Sequence, residues 1–206
     1  TREEMLAIIG EPGDSWLSQR DHAVFLLMYN TGARVSEVIG VKVGDVVLDA
    51  SAACVHLHGK GRKQRSVPLW HTTVKVLRAW LRANPELMAE APLLPSRNGR
   101  EMTRANVTLR LALAVQRTME TQPALAKRKV SPHTIRHTTA MHLLQAGVDV
   151  SVIALWLGHE SPVTTHHYVE ADLAMKERAL VRLHEPTSKI LRYRAPDSLL
   201  NFLRTL

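Results

Sequence analysis

Between Ser131 and Asp172 the sequence reads SPHTIRHTTAMHLLQAG, then VDVSVIALWLGH, then ESPVTTHHYVEAD, gathering an Arg, several His and one Tyr where a phosphate could be gripped and attacked. Ser131-Pro132 is a helix start, with Ser as N-cap and Pro at the first helical position. His133 and Arg136 are three apart, so they share a face at the end where free N–H groups and the dipole favour an anion. Taken alone, such a pair fits a solvated helix end equally well. His159 follows Leu157-Gly158, and a glycine turn out of a helix would project the next side chain from a rigid support. Its imidazole could donate to a phosphate oxygen or simply lie on the surface. Tyr168 stands in a polar segment with Thr164, Thr165, His166 and His167, a setting suited to an accessible nucleophile. Tyr29, four residues after Phe25 in an apolar run, is expected in the core. Tyr193 lies between Arg192 and Arg194 in a linker, exposed or against a nucleic-acid backbone. His133 and His137 have the i, i+4 spacing of a zinc helix, but Thr134 occupies the place of the metalloprotease glutamate, so no metal is assigned.

Two further basic residues lie upstream. Arg34 follows Gly32 at a helix start, with Glu37 three residues on to hold its guanidinium. A planar, bidentate donor matches two phosphate oxygens. The bland reading is a surface ion pair contributing about 0.2–0.5 kcal/mol. Lys60, between Gly59 and Gly61, could swing into a groove and deliver a proton, or be a solvated turn lysine.

The elements that must position these residues are mostly helical. Thr1 to Glu4 match a capping box ahead of a short amphipathic helix ended by Pro12-Gly13. A largely apolar, buried helix is expected from Ser18 to about Asn30, broken by Gly32, with a short helix over 33–39. From Val46 to Leu69 the pattern turns to β-branched alternation, Val55 and Leu57 facing one way and His56 and His58 the other. This predicts a hairpin with a basic tip, completed by Val46–Leu48 into a three-stranded antiparallel sheet. Helices follow over 72–83 and from a Thr103 cap to about Glu120, joined by PLLPSRNGR, which could hold a brief strand. Beyond Ser131 come a helix stopped by Gly147, one over 151–157 ended by Gly158, a helical stretch over 162–168, and another over 172–183. A linker over 185–196 leads to a small C-terminal helix carrying Leu199, Leu200, Leu203 and Leu206. The fold class is therefore α+β, mainly α-helical, with one small sheet.

Composition bounds the function. The 206 residues are 45% hydrophobic, enough for a substantial core, and 27 Lys+Arg against 19 Asp+Glu favour a polyanionic partner without proving one. One cysteine, Cys54, excludes an internal disulfide and a Cys-rich zinc module, and fits a cytosolic setting. No apolar run approaches the roughly 20 residues a membrane span needs.

Each signal is weak singly, but the set is specific. Arg34 in TGARVSE, Lys60 in HGKGRKQR, His133 and Arg136 in HTIRH, His159 in LGH and Tyr168 in TTHHYVEAD resemble the tyrosine recombinases of the phage-integrase type. The resemblance covers about residues 1–184, leaving 185–206 as linker and C-terminal helix. It implies attack of Tyr168 on a DNA phosphodiester, giving a 3′-phosphotyrosyl link. Arg34, Arg136 and His159 would stabilise the transition state, Lys60 would protonate the leaving 5′-oxygen, and His133 would help accept the tyrosine proton. Glu37 would be an orienting residue, and Arg62, Lys63 and Arg65 would hold the DNA backbone. It implies no cofactor and no metal, double-stranded DNA as partner, and a tetramer on DNA formed from monomers. The C-terminal helix would dock in trans or pack in cis. Members normally carry an N-terminal DNA-binding domain, which this chain, starting at Thr1, is expected to lack. The rival readings are type IB topoisomerase-like relaxation, a silent DNA-binding module, and a metal hydrolase.

Overall fold

A computed structural model describes residues 1–49, 52–59 and 64–158. Seven helices appear among them: α1 (Arg2–Ile9), α2 (Trp16–Thr31), α3 (Val35–Ile39), α4 (His71–Ala83), α5 (Arg104–Thr118), α6 (Pro132–Gln145) and α7 (Val150–Leu157). They surround one antiparallel sheet of order β1-β2-β3, with β1 at Val46–Val47, β2 at Cys54–His58 and β3 at Gln64–Pro68. The expected class holds.

The central element is α2. From Ala23 to Thr31 every residue is buried, which requires neighbours on all sides, and α1, α3, α4 and α6 supply them. Its polar residues are satisfied internally. Asn30, fully buried, donates to the Pro68 carbonyl at 3.2 Å and accepts from the Trp70 N–H at 2.9 Å, tying α2 to the exit of the sheet. Thr139 of α6 donates to the Tyr29 carbonyl at 2.8 Å, and the Tyr29 hydroxyl pairs with His142 Nδ1 at 2.7 Å. Tyr29 is thus a core residue, as expected. Burial pushes its hydroxyl pKa up to about 12, only partly opposed by Arg2.

In the sheet, Val55 pairs with Val67 and Leu57 with Arg65 on the face turned to the core, while His56 pairs with Ser66 and His58 with Gln64 on the other. The capping box at Thr1 and Glu4 forms. Some details differ from the expected ones. Gly10, at φ 62°, closes α1 before Pro12 is reached. Ser15 rather than Ser18 caps α2, its hydroxyl accepting from the Ser18 N–H. The connection over 92–100 forms no strand, only a bridge from Pro92 to Lys42, because Leu93 and Leu94 are buried and the Trp80 indole N–H takes the Leu93 carbonyl at 2.8 Å. The helices expected over 162–168 and 172–183 and the C-terminal helix lie outside the described residues. No described helix is long and apolar enough to cross a membrane.

Gly32 ends α2 at φ 60°, and a Cβ there would clash with Leu157 Cδ2 and lie 3.3 Å from Thr139 Cγ2, both on buried residues. Gly32→Ala is expected to lower stability by about 2–5 kcal/mol, from the left-handed backbone and the overpacking together. Gly147 has φ 76° but open space around it, so Gly147→Ala should cost only about 1–2 kcal/mol. Urea unfolding of both checks this, and equal midpoints for the two variants would contradict it.

Candidate active site

Four charged side chains meet where α3, β3, α6 and the end of α7 converge. Glu37, on α3 and 4% exposed, is the hub. Its Oε2 accepts from the Arg34 backbone N–H at 2.7 Å, capping the helix start, and its Oε1 takes the Arg34 guanidinium at 3.3 Å. Arg65 adds a bidentate pair, Nη1 to Oε1 and Nη2 to Oε2, both at 2.8 Å. Burial would raise the Glu37 pKa, but the hydrogen bonds and charge of Arg65, then those of Arg34, overcome it and hold the carboxyl below its ordinary value.

Arg136 has no carboxylate partner among the described residues. It is 6% exposed, and its Nη1 and Nη2 donate to the carbonyls of Gly32 (2.7 Å) and Leu157 (2.9 Å), the first residues past α2 and at the end of α7. Those carbonyls sit where helices leave acceptors free, so Arg136 closes two helix ends at once. Burial, then the charges of Arg34 and Arg65, push its pKa down from 12.5 to about 10, with Glu37 opposing weakly. It remains charged at neutral pH. Three guanidinium groups against one carboxylate leave the four side chains with two net positive charges. An anion would relieve that imbalance. Arg34, whose side chain is 48% exposed, provides the open side.

His133, the second residue of α6, is exposed and stands three residues before Arg136 on that helix. The Ser131 cap forms as expected, its hydroxyl accepting from the Thr134 N–H at 3.3 Å. No group of three or more His, Cys, Asp or Glu able to hold a metal occurs among the described residues. Lys60, Arg62 and Lys63 belong to the connection between β2 and β3 and, with His159 and Tyr168, lie outside the described residues. The sites on either side are described: the strands pair out to His58 and Gln64, and Gly158 takes the left-handed turn (φ 66°, ψ 48°) directly before His159.

Arg65, expected with Arg62 and Lys63 to hold the DNA backbone, has a side chain only 10% exposed, its guanidinium engaged with Glu37 and the Trp156 carbonyl. The signal was available. Arg65 is two residues before Val67, so strand alternation puts it on the core face, where a guanidinium needs a buried partner. The carbonyls of Gly32, Trp156 and Leu157 had no signature, because every residue has a carbonyl.

The phage integrase family matches this chain over residues 1–175. A protein named as integrase/recombinase y4rC, from Sinorhizobium fredii, is 43% identical over 207 residues, covering 100% of this chain and 62% of its own length. Tyrosine recombinase XerC of Neisseria meningitidis is 40% identical over 168 residues, 82% of this chain and 52% of XerC. The chain therefore spans about half to three fifths of these relatives. Among solved structures, XerA recombinase superposes with a TM-score of 0.65 at 22% identity over 100% of this chain and 63% of that one. XerH recombinase in a post-cleavage complex with palindromic difH gives 0.63 at 26% identity, over 89% and 51%. From the family match and the two sequence relatives, the chain belongs to the phage integrase family.

Proposed function

We propose that this chain is the catalytic part of a site-specific DNA recombinase that cuts and rejoins strands through a 3′-phosphotyrosyl intermediate. The observation that carries the reading is the cluster of buried Glu37 and Arg136 with Arg65 and the half-exposed Arg34, which leaves two positive charges in excess. XerH site-specific recombinase, a structural relative, was solved bound to a palindromic difH substrate in a post-cleavage complex. The partner proposed here is likewise double-stranded DNA, held with salt-sensitive affinity through its phosphates by the basic hairpin connection, Arg62 and Lys63 included.

In the proposed reaction the Tyr168 oxygen attacks phosphorus, the P–O5′ bond breaks, and the 5′-hydroxyl departs. Lys60 gives that oxygen its proton, and His133 helps receive the proton of Tyr168. Arg34, Arg136 and His159 donate to the non-bridging oxygens as charge builds there. Glu37 holds Arg34 in place. Because the phosphoester energy is kept in the phosphotyrosyl bond, a second 5′-hydroxyl can reverse the step without ATP. No metal or cofactor enters the scheme.

We assign catalysis to residues 1–184 and the choice of DNA site largely to sequence outside this chain, such as an N-terminal DNA-binding domain. The protein would act in the cytoplasm, on the nucleoid. Monomers would assemble as a tetramer on DNA, with residues 197–206 docking into a neighbour. Deleting 197–206 should weaken that assembly without altering the monomer, read by native gels and light scattering; an unchanged oligomer on DNA would remove trans docking.

The function is tested by incubating the protein, in chelator, with a library of nicked duplexes of random sequence and separating the products under denaturing conditions. A protease-sensitive covalent adduct and recombinant joints are expected. Supercoil relaxation with no joints would indicate topoisomerase-like action, and binding with no adduct a silent module.

A further inference from the structure

We propose that Arg65 is a positioning residue that joins three parts of the site: the hairpin carrying Lys60, the helix start carrying Arg34, and the end of α7 that leads to His159. This role rests on the proposed function. Arg65 stands on β3, five residues past Lys60. Its two terminal nitrogens hold both oxygens of Glu37 at 2.8 Å, and the same two oxygens hold Arg34. Its Nε–H donates to the Trp156 carbonyl at 3.1 Å. Arg136 takes the next carbonyl, Leu157, so two cations close the C-terminal turn of α7, where free carbonyls and the dipole favour positive charge. Contact with Gly158 is equally close: a Cβ there would meet Arg65 Nη1 at 2.8 Å and Cζ at 3.0 Å.

One planar group therefore sets the relative positions of β3, the start of α3 that carries Arg34, and the Gly158 turn before His159. Lysine could not do this, because a single ammonium cannot span two carboxylate oxygens and a carbonyl on a third element in one plane. Three of the five N–H donors of Arg65 are thereby committed to Glu37 and Trp156. Among the described residues, the charged groups facing Glu37 are Arg34 at the start of α3, Arg65 from β3 and Arg136 from α6; α7 presents backbone carbonyls. Removing Arg65 takes away the strongest influence holding the Glu37 carboxyl ionised. The carboxyl would then protonate at a higher pH and release Arg34 as it does so.

The test uses Arg65→Met, Arg65→Lys and the Arg65→Met/Glu37→Gln double variant on a nicked duplex that wild type cleaves. Arg65→Met should slow first-order adduct formation at saturating DNA on the order of 10²-fold, the effect of misplacing catalytic groups by about 1 Å. The slope of log affinity against log salt should stay as in wild type, and the acid limb of the rate should move to higher pH. The double variant should be no slower than Arg65→Met and should lose the shifted limb. Arg65→Lys should fall between wild type and Arg65→Met, and it carries the same measurements if Arg65→Met melts below assay temperature. A salt slope smaller by about 0.9 with an unchanged saturating rate would make Arg65 a phosphate contact and overturn the proposal. An unmoved acid limb with additive losses would reduce it to a fold residue and also overturn it. Wild type forming no adduct on any duplex would overturn the proposed function and this role together, whereas an active wild type with unaffected variants would overturn this role alone.

Discussion

Tyr168→Phe protein is expected to form no covalent adduct with DNA while binding it about as tightly as wild type. The substitution deletes one oxygen, the atom proposed to bond to phosphorus, and leaves the arginines that hold the backbone untouched. Few alternatives could take its place. Tyr29 is 3% exposed, its hydroxyl is paired with His142 at 2.7 Å, and burial pushes its pKa up to about 12, so it is neither accessible nor readily ionised. Tyr29→Phe should therefore keep the adduct and lose only the buried hydrogen bond, about 1 kcal/mol of stability. The two variants, run side by side on denaturing gels with a binding titration, separate the nucleophile from the core phenol. An adduct that survives in Tyr168→Phe protein would disprove the assignment, and loss of adduct in Tyr29→Phe protein with normal stability would point to the wrong tyrosine.

The second large effect concerns Arg136. Arg136→Lys keeps the charge but not the planar fork that reaches the Gly32 and Leu157 carbonyls together. Adduct formation in single turnover should slow by about 10²–10³-fold, or about 2.7–4 kcal/mol, the loss seen when one donor to a developing oxyanion is removed. DNA affinity should change far less, because the total positive charge is preserved. The measurement is the first-order rate at saturating DNA beside the dissociation constant. A rate within a few-fold of wild type would place Arg136 in the scaffold rather than at the phosphate.

Much of this site was legible in the chain. The Ser131-Pro132 start, the Gly32 and Gly158 stops and the Thr1, Thr103 and Ser131 caps are local signals, set by backbone hydrogen bonds within a few residues, and each appears in the structure. The alternation of Val55, His56, Leu57 and His58 gave the correct sheet faces because side-chain direction in a strand has a period of two. Boundaries were less legible: Ser15 and Ser18 offer the same capping chemistry, and the partly buried Trp16 packs against Trp80 within the first turn that Ser15 caps.

What the sequence by itself determined about Ser131 to Tyr168 was an inventory of groups that could hold a phosphate, with a resemblance that sets HTIRH, LGH and the tyrosine beside Arg34 and Lys60 as an expectation. Tertiary structure decided how the arginines divide the work. Arg34 and Arg65 both carry the same group, yet Arg65 is turned inward to Glu37 and Trp156 while Arg34 keeps an open side, and Arg136 bridges two helix ends. Those outcomes depend on carbonyls and a carboxylate brought from α2, α3 and α7, elements distant in the chain. A guanidinium's role is set by which acceptors reach it after packing, and residue type alone carries no record of them.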